Sequence, residues 1–486
     1  MLFDSAALTT SGALGGVAEA FVVHEIASSS VVTVSFTDPG QNGLSGDGDS
    51  LFLAPTVSAS NVSVLTGSTS SSESASDRVA SSTDRSAAVD LAALPKLGGS
   101  ALLTQLGMLP ADELAAFVKS SPATIHRLIV NPPRAVTVSA WWSALPGSVK
   151  AEFAASAPEL AGNLEGLPFS VRDSANRTAL RAEIAAAKKA VSTTAGRGSL
   201  VTSKHHLEIL TQIKRTLHTT KSEPSRQLMT FDPSGDSRAA VVVGDIATAD
   251  YVSYLVPGMF FTVQGQMYDW TVIAQDLQKE QTSWLKRLAA TDSSYAGKTA
   301  ATVAWIGYST PGVLDITSLK RADTGAGFLG NAVQGVKAAR HGEEPYVTVI
   351  GHSYGSTTAM VELAKGGVTV NALALIGSPG AAAQTASQLS VAHDNVYVGE
   401  AALDPIVNTA FYGSDPGAAS FGAHTMSVSG GTDAITHKKL SAAVGHLGYF
   451  EPGSEAMRNL ALIGLGQGSL VTDGSQADAT RTLASR

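Results

Sequence analysis

A Gly-x-Ser-x-Gly pentapeptide between a predicted strand and a predicted helix constrains this chain more than any other feature. It reads Gly351-His352-Ser353-Tyr354-Gly355. Residues 347–350 are typical of a buried parallel strand, and residues 357–365 are typical of a helix. The turn between them holds the serine in a strained conformation, and the two glycines let strand and helix approach closely.

We therefore predict that the Ser353 hydroxyl stands exposed at the carboxyl end of a sheet. The amides of the following helix N-terminus would lie beside it and could stabilise an oxyanion. A glycine-rich strand-to-helix turn without a catalytic serine is the alternative interpretation.

Composition limits the classes of protein to which the chain can belong. It has 486 residues, 44% of them hydrophobic and 15% charged, a formal net charge of -8 and no cysteine. A chain of this length exceeds one hydrophobic core, so we expect two or three structural units. The acidic balance argues against a nucleic-acid partner. The lack of cysteine excludes disulfides, thiolate metal sites and a cysteine nucleophile, and we expect neither a metal nor a cofactor.

Changes in composition and in the pattern of predicted helices and strands divide the sequence into five parts. Residues 1–55 form an N-terminal segment of unclear structure, residues 56–90 a serine-rich linker or loop, and residues 91–222 a mainly helical region. Strands alternate with helices over residues 223–470, which implies an α/β fold with a mostly parallel, doubly wound sheet. Residues 471–486 form a C-terminal tail.

Two polar pairs occupy one predicted helix in the helical region. Arg172 and Asn176 are four residues apart, as are Asp173 and Arg177, so each pair shares a helix face. We expect these faces to be solvated.

The sequence offers no evident membrane or export signal. The N-terminus lacks the basic region of a secretory signal, and no uninterrupted apolar stretch reaches about 18 residues. We expect no integral membrane segment and a cytoplasmic location, while export by a non-standard route stays open.

A serine on such a turn needs a histidine to accept its proton and a carboxylate to orient that histidine. In the α/β-hydrolase arrangement, the acid and then the histidine follow the serine along the chain. Asp404 comes just after the predicted strand 395–398 and before Pro405, so it is the first candidate acid. Asp415 is the second, and Asp394 precedes the strand, which would leave it at the wrong end of the sheet.

Three histidines follow Asp404. His446 lies in a loop, which would let it reach over the serine, and we predict that it is the base. His437, which heads a predicted helix, and His424, near a strand, are the alternatives.

An oxyanion hole requires two backbone donors. One is the amide of the residue after the serine, Tyr354, and the other comes from the loop that follows the third strand. Residues 257–259 fit that loop, which makes the Met259 amide our choice, with Gly307 and Tyr308 as the alternative.

One further glycine pattern, at residues 325–330, matches the spacing of a dinucleotide-binding fingerprint. Residues 318–323 before it do not form a buried strand, so we reject a nicotinamide site.

Residues 136–180 and 222–470 together resemble the actinobacterial α/β-hydrolase family of unknown function known as DUF1023. The motifs that carry the resemblance are Trp141-Trp142, residues 162–166, residues 172–177, residues 256–258, Gly307-Tyr308, residues 351–355, residues 377–380, Asp404-Pro405 and His446. The resemblance implies the α/β-hydrolase fold and a triad of Ser353, Asp404 and His446. It implies no substrate, because the substrates of the family are undefined.

The sequence thus favours a serine hydrolase that cleaves carboxylic esters through an acyl-enzyme. The expected partner is a small-molecule or lipid-like ester, and a protein partner of the helical region stays open. An amidase or acyltransferase would use the same triad. An interaction or scaffold protein with a vestigial site is the alternative from another class.

Overall fold

A computed structural model describes residues 89–312 and 314–474. The segment 1–55, the linker up to residue 88 and the tail from residue 475 lie outside the described residues.

An eight-stranded sheet forms the centre of the molecule. Its strands are β1 (Arg226–Asp232), β2 (Arg238–Val243), β3 (Tyr251–Val256), β4 (Ala300–Ile306), β5 (Tyr346–His352), β6 (Ala372–Ile376), β7 (Val396–Gly399) and β8 (His424–Thr425). They lie in the order β1-β2-β4-β3-β5-β6-β7-β8. β2 is antiparallel to β1 and β4, whereas the strands from β4 to β8 pair in parallel. This topology is the predicted α/β-hydrolase fold, in which the carboxyl ends of β3 to β8 share one edge.

Twelve α-helices occur in the described residues. They are α1 (Gly99–Leu106), α2 (Ala111–Ser120), α3 (Pro122–Val130), α4 (Ala135–Ala144), α5 (Gly147–Ser156), α6 (Pro158–Asn163), α7 (Phe169–Thr193), α8 (Arg197–Thr216), α9 (Val263–Ala289), α10 (Lys320–Ala339), α11 (Tyr354–Ala364) and α12 (Glu455–Gly464). The helices α1 to α8 confirm a helical region before the sheet. A two-stranded hairpin, β9 (Gly431–Thr432) with β10 (Lys439–Leu440), follows β8.

Apolar residues cover both faces of the sheet. Buried side chains of α9 and α12, such as Trp270 and Leu460, pack on one face. Those of α10 and α11, such as Val333 and Met360, pack on the other. The sheet is therefore doubly wound, and strands such as β2, β4, β6 and β7 are buried along their whole length because helices cover them from both sides.

The prediction that Arg172 and Asn176 lie on a solvated face of α7 is wrong, because the two residues are only 2% and 0% exposed. Arg172 pairs with buried Glu165 and donates a hydrogen bond to the Met229 carbonyl of β1. Asn176 donates to the Leu228 carbonyl at 2.9 Å.

Neighbouring side chains complete this contact with β1. Asn163 bonds both the amide and the carbonyl of Phe231, at 2.9 and 2.8 Å, and Asp173 accepts from the Leu228 amide at 2.7 Å. β1 is the edge strand of the sheet, so its outer backbone groups would otherwise lack partners. Polar side chains of α6 and α7 provide the hydrogen-bond partners that the backbone of a ninth strand would otherwise provide.

Candidate active site

Ser353 lies between β5 and α11 with φ 54° and ψ -131°, a backbone conformation that a non-glycine residue seldom takes. A Cβ on Gly351 would lie 2.6 Å from the Ser356 Cα, and one on Gly355 would lie 2.3 Å from the Val256 carbonyl oxygen. The strand-to-helix turn therefore requires both glycines for close approach. The strained turn predicted from the sequence is present.

The predicted solvent exposure of Ser353 is wrong, since the residue is only 2% exposed. The loop after β3 covers it: a Cβ on Gly258 would lie 2.5 Å from the Ser353 Cβ and 2.9 Å from its Oγ. Local sequence predicts the turn, but it does not reveal a loop that packs onto the serine from elsewhere in the chain.

Met259 follows Gly258 directly in that loop. Within the described residues, neither the Tyr354 amide nor the Met259 amide donates a hydrogen bond to a protein acceptor. Two free backbone donors beside a serine are what an oxyanion hole requires. The Tyr308 hydroxyl donates to the Pro257 carbonyl at 2.7 Å and so supports this loop, while the Gly307 and Tyr308 amides stay the alternative source of the second donor.

Asp404 and His446 meet at the same edge of the sheet. The His446 Nδ1 lies 2.9 and 3.0 Å from the two carboxylate oxygens of Asp404. The Asp404 side chain is fully buried, whereas that of His446 is 21% exposed. Asp404 follows β7, and a backbone hydrogen bond from Gly445 to Ala402 holds the histidine loop beside it.

Two further donors fix the Asp404 carboxylate. The Tyr449 hydroxyl donates to Oδ2 at 2.6 Å, and the Ile406 amide donates to Oδ1 at 2.9 Å. Burial alone would raise the pKa of Asp404, but the hydrogen bonds from His446, Tyr449 and Ile406 outweigh it and lower the pKa below its usual value. The carboxylate is therefore ionised beside His446 at neutral pH.

The other candidates for the acid and the base lie apart from this pair. Asp415 accepts a hydrogen bond from the Gly417 amide of its own loop. Asp394 precedes β7, at the opposite end of the strand from Asp404. His424 begins β8, and His437 has φ 57° in the turn of the β9–β10 hairpin, so its predicted helix is wrong.

His352 is a buried histidine next to the serine, and the sequence suggested only that it belongs to the turn. Its Nε2 donates to the backbone carbonyl of His446 at 2.7 Å, and its Nδ1 has no partner in the described part of the chain. Burial, together with the nearby His446, lowers the pKa of His352 to about 3. This ring is therefore neutral at physiological pH.

The groups at this edge could perform nucleophilic catalysis. With Nδ1 donating to Asp404, the His446 Nε2 is the lone-pair acceptor that could take a proton from a serine. In the described residues the Ser353 hydroxyl makes no hydrogen bond to His446. Such contacts often tighten only when a substrate is bound.

Residues 325–330 lie inside α10, so the glycine pattern does not join a strand to a helix. Over residues 89–312 and 314–474, no group of three or more His, Asp or Glu side chains could hold a metal ion. No helix in these two ranges is long and apolar enough to cross a membrane.

Comparison with known proteins agrees with the topology. Residues 232–414 match a family model described as alpha/beta hydrolase, a range that includes Ser353 and Asp404 and ends before His446. An uncharacterized protein of Mycobacterium tuberculosis is 28% identical in an alignment of 408 residues, which covers 74% of this chain and 60% of that protein. An uncharacterized protein of Mycobacterium bovis is 29% identical over 204 residues, or 41% and 75% of the two chains.

Solved structures that resemble the chain include two esterases. An arylesterase is 10% identical with a TM-score of 0.31 and covers 60% of this chain and 98% of its own. Carboxyl esterase 2 of Tuber melanosporum is 12% identical with a TM-score of 0.31 and covers 52% and 89%. The topology and the family match identify an α/β-hydrolase fold and support a hydrolase.

Proposed function

We propose that this protein is a serine hydrolase that cleaves carboxylic esters, with Ser353 as nucleophile, His446 as base and Asp404 as the orienting acid. The observation that carries the proposal is the hydrogen-bonded pair of buried Asp404 and partly exposed His446 at the sheet edge where Ser353 occupies its strained turn. We also propose membership of the actinobacterial family that the motifs resemble.

The reaction follows from these three side chains. The Ser353 Oγ attacks the ester carbonyl while the His446 Nε2 takes its proton, and a tetrahedral oxyanion forms. Collapse of this intermediate breaks the bond to the alcohol, which leaves with the proton from His446, and an acyl-enzyme remains. Water then attacks the acyl-enzyme, again losing its proton to His446. The second collapse releases the carboxylic acid and returns the proton to Ser353.

The Tyr354 and Met259 amides would stabilise the oxyanion in both halves of the reaction. Their lack of a protein acceptor in the described residues supports this role. Loss of one such donor typically costs about 100- to 1,000-fold in kcat, so the loop after β3 would contribute as much as a side chain.

A fluorophosphonate probe tests the nucleophile. We expect the probe to label the wild type but not Ser353→Ala, whereas Ser199→Ala, which removes an exposed serine of α8, should label normally. A folded wild-type protein that takes up no label would overturn the proposal and favour a scaffold protein with a vestigial site.

Turnover of p-nitrophenyl esters tests the other two residues. Asp404→Asn should lower kcat by about 10⁴-fold, because the histidine then adopts the wrong tautomer. Asp415→Asn is the matched control and should retain activity. An equal loss of kcat in Asp404→Asn and Asp415→Asn would contradict the assignment of Asp404 as the acid. Parallel assays with an anilide and with an added alcohol acceptor distinguish ester hydrolysis from amidase or acyltransferase activity.

A further inference from the structure

Three exposed apolar side chains arise from the loops that carry the candidate acid and base. Leu403 is 85% exposed and directly precedes Asp404, and Val444 is 55% exposed two residues before His446. Phe411 is 43% exposed in the loop that follows Asp404. We call these three side chains the apolar rim.

Backbone and ring contacts tie the apolar rim to the site. Ala402 and Val444 form a parallel bridge, which places the segment before Leu403 beside Val444. The Phe411 ring packs edge-on against Tyr412 at 4.8 Å, and Tyr412 packs edge-on against Tyr354 at 5.4 Å. The rim is therefore attached to the same segments that hold the acid, the base and the residue after the serine.

Leu403 has a backbone conformation that a leucine seldom takes. Its φ is 61°, in the left-handed region where a Cβ crowds the backbone. Glycine or asparagine would fit this position with less strain, and strained residues are concentrated at ligand sites. Strain and exposure therefore coincide at Leu403, directly beside Asp404.

The other exposed large apolar residues of the described chain do not adjoin Asp404 or His446 in the sequence: Leu314 lies in the loop after β4, and Ile435 lies between β9 and β10. Leu91, Val136 and Val201 lie apart in the helical region. Single exposed apolar side chains are normal on a protein surface, whereas several on the loops that carry one site suggest a ligand.

We propose that the apolar rim binds a hydrocarbon chain of the ester substrate, so that the enzyme prefers esters with a long hydrocarbon chain over acetyl esters of short alcohols. This inference rests on the proposed hydrolase function. The chain could belong to the acid or to the alcohol of the ester, and both present the same chemistry to the rim.

Two ester series test the proposal. One series has p-nitrophenol as the alcohol and acyl chains from acetyl to decanoyl; the other has acetyl as the acid and alkyl alcohols from ethyl to decyl. We expect kcat/KM of the wild type to rise by about tenfold or more with chain length in one of the series. A gain in the first series assigns the rim to the acyl chain, and a gain in the second assigns it to the alcohol.

Two rim variants then show whether the rim causes this preference. Leu403→Asn keeps a residue that tolerates positive φ, and Val444→Thr keeps the shape of the side chain. Together they should lower the ratio of long-chain to short-chain kcat/KM by about five- to tenfold. Leu91→Asn with Val136→Thr makes the same chemical changes away from the site and should leave the ratio unaltered. Phe411→Asn provides an independent variant if the first pair is unstable.

Three outcomes would overturn the inference. If the wild type hydrolyses short esters but its kcat/KM does not rise with chain length in either series, the proposed role of the rim is disproved and the proposed hydrolase function stands. If kcat/KM falls equally for long-chain and short-chain esters in the rim variants, the rim has only a structural role. A folded wild type that neither takes up fluorophosphonate nor turns over any ester would overturn both proposals.

Discussion

The His352 side chain donates a hydrogen bond to the backbone carbonyl of His446 at 2.7 Å, and the two ring centroids lie 4.6 Å apart. His352 ends β5 and precedes Ser353, so this bond joins the strand that leads to the proposed nucleophile with the loop that carries the proposed base. Since burial keeps the His352 ring neutral, it positions His446 without placing a positive charge beside it.

Replacement of His352 should lower kcat by displacing His446. His352→Phe fills much of the space but donates no hydrogen bond, and we expect kcat to fall by about 10- to 100-fold, because a displacement of about 1 Å can cost that much. His352→Gln retains an N–H donor and should lose less. Steady-state kinetics with a p-nitrophenyl ester, alongside thermal unfolding, measure the effect. Wild-type kcat in a folded His352→Phe variant would contradict this positioning role.

The same residue should make stability depend on pH. The unfolded chain protonates His352 below about pH 6.5, whereas the folded protein keeps it neutral down to about pH 3. Its contribution is therefore complete above pH 6.5 and is lost as the pH falls, by about 1.4 kcal/mol per pH unit. Urea unfolding between pH 6.5 and 5 should show that His352→Gln loses less stability per pH unit than the wild type. An equal loss of stability per pH unit in the wild type and in His352→Gln would disprove the prediction.

Tyr449→Phe should weaken both the fold and the proposed triad. The Tyr449 hydroxyl donates to Asp404 and accepts from the Ala401 amide at 2.8 Å, so its removal leaves a buried donor without a partner. We expect the free energy of unfolding to fall by about 1–3 kcal/mol. We also expect a lower kcat, because the Asp404 carboxylate would be less firmly held.

Tyr295→Phe is the matched control for this change. It removes a hydrogen bond with Gln467, and Tyr295 precedes β4, at the opposite edge of the sheet from the site. Its kcat should equal that of the wild type. If both variants lose the same fraction of kcat, the bond from Tyr449 to Asp404 has no catalytic role.

Gly258→Ala should damage the proposed oxyanion hole. The added Cβ would lie 2.5 Å from the Ser353 Cβ, so the loop that carries Met259 must move away from the serine. We expect kcat to fall by about 100-fold or more with little change in KM, since the displaced donor acts mainly in the transition state. Gly327→Ala, which adds a methyl group to open space on α10, is the control. Unchanged kcat in folded Gly258→Ala would show that the Met259 amide is dispensable.

Arg172→Met should destabilise the protein without altering its chemistry. Burial raises the pKa of Glu165 and Arg172 opposes that effect, so removing the arginine leaves an unpaired buried acid. We expect a loss of about 3–5 kcal/mol in urea unfolding. Combining it with Glu165→Gln should recover part of that loss. Lys279→Met, which breaks an exposed pair with Asp276, should change stability by less than about 1 kcal/mol. Similar losses in Arg172→Met and Lys279→Met would show that the buried pair has no special importance.

The sequence predicts those features that depend on local pattern and on chain order. The turn at Ser353 follows from its flanking glycines, and Asp404 and His446 could be chosen because acid and base follow the serine in a fixed order. The structure brings these two side chains together, while their catalytic roles stay proposals. The division of the chain near residue 222 also stays a prediction.

Features that depend on distant segments could not be predicted in the same way. Tyr449 can be recognised as a partner of Asp404 only when both loops are placed, because the two residues are far apart in sequence. Ser353 is buried by a loop from another strand, which no pattern around the serine reveals. Arg172 and Asn176 have the spacing of a solvated helix face, and only the position of β1 explains their burial.

The side chains that bond the outer edge of β1 have a consequence for self-association. A variant that begins at residue 223 would lose Asn163, Arg172, Asp173 and Asn176, and with them the partners of four or more backbone groups on an edge strand. An uncovered strand edge is a template for pairing with another copy. The helical region therefore covers this edge of the sheet, and we expect a fragment that lacks α6 and α7 to self-associate.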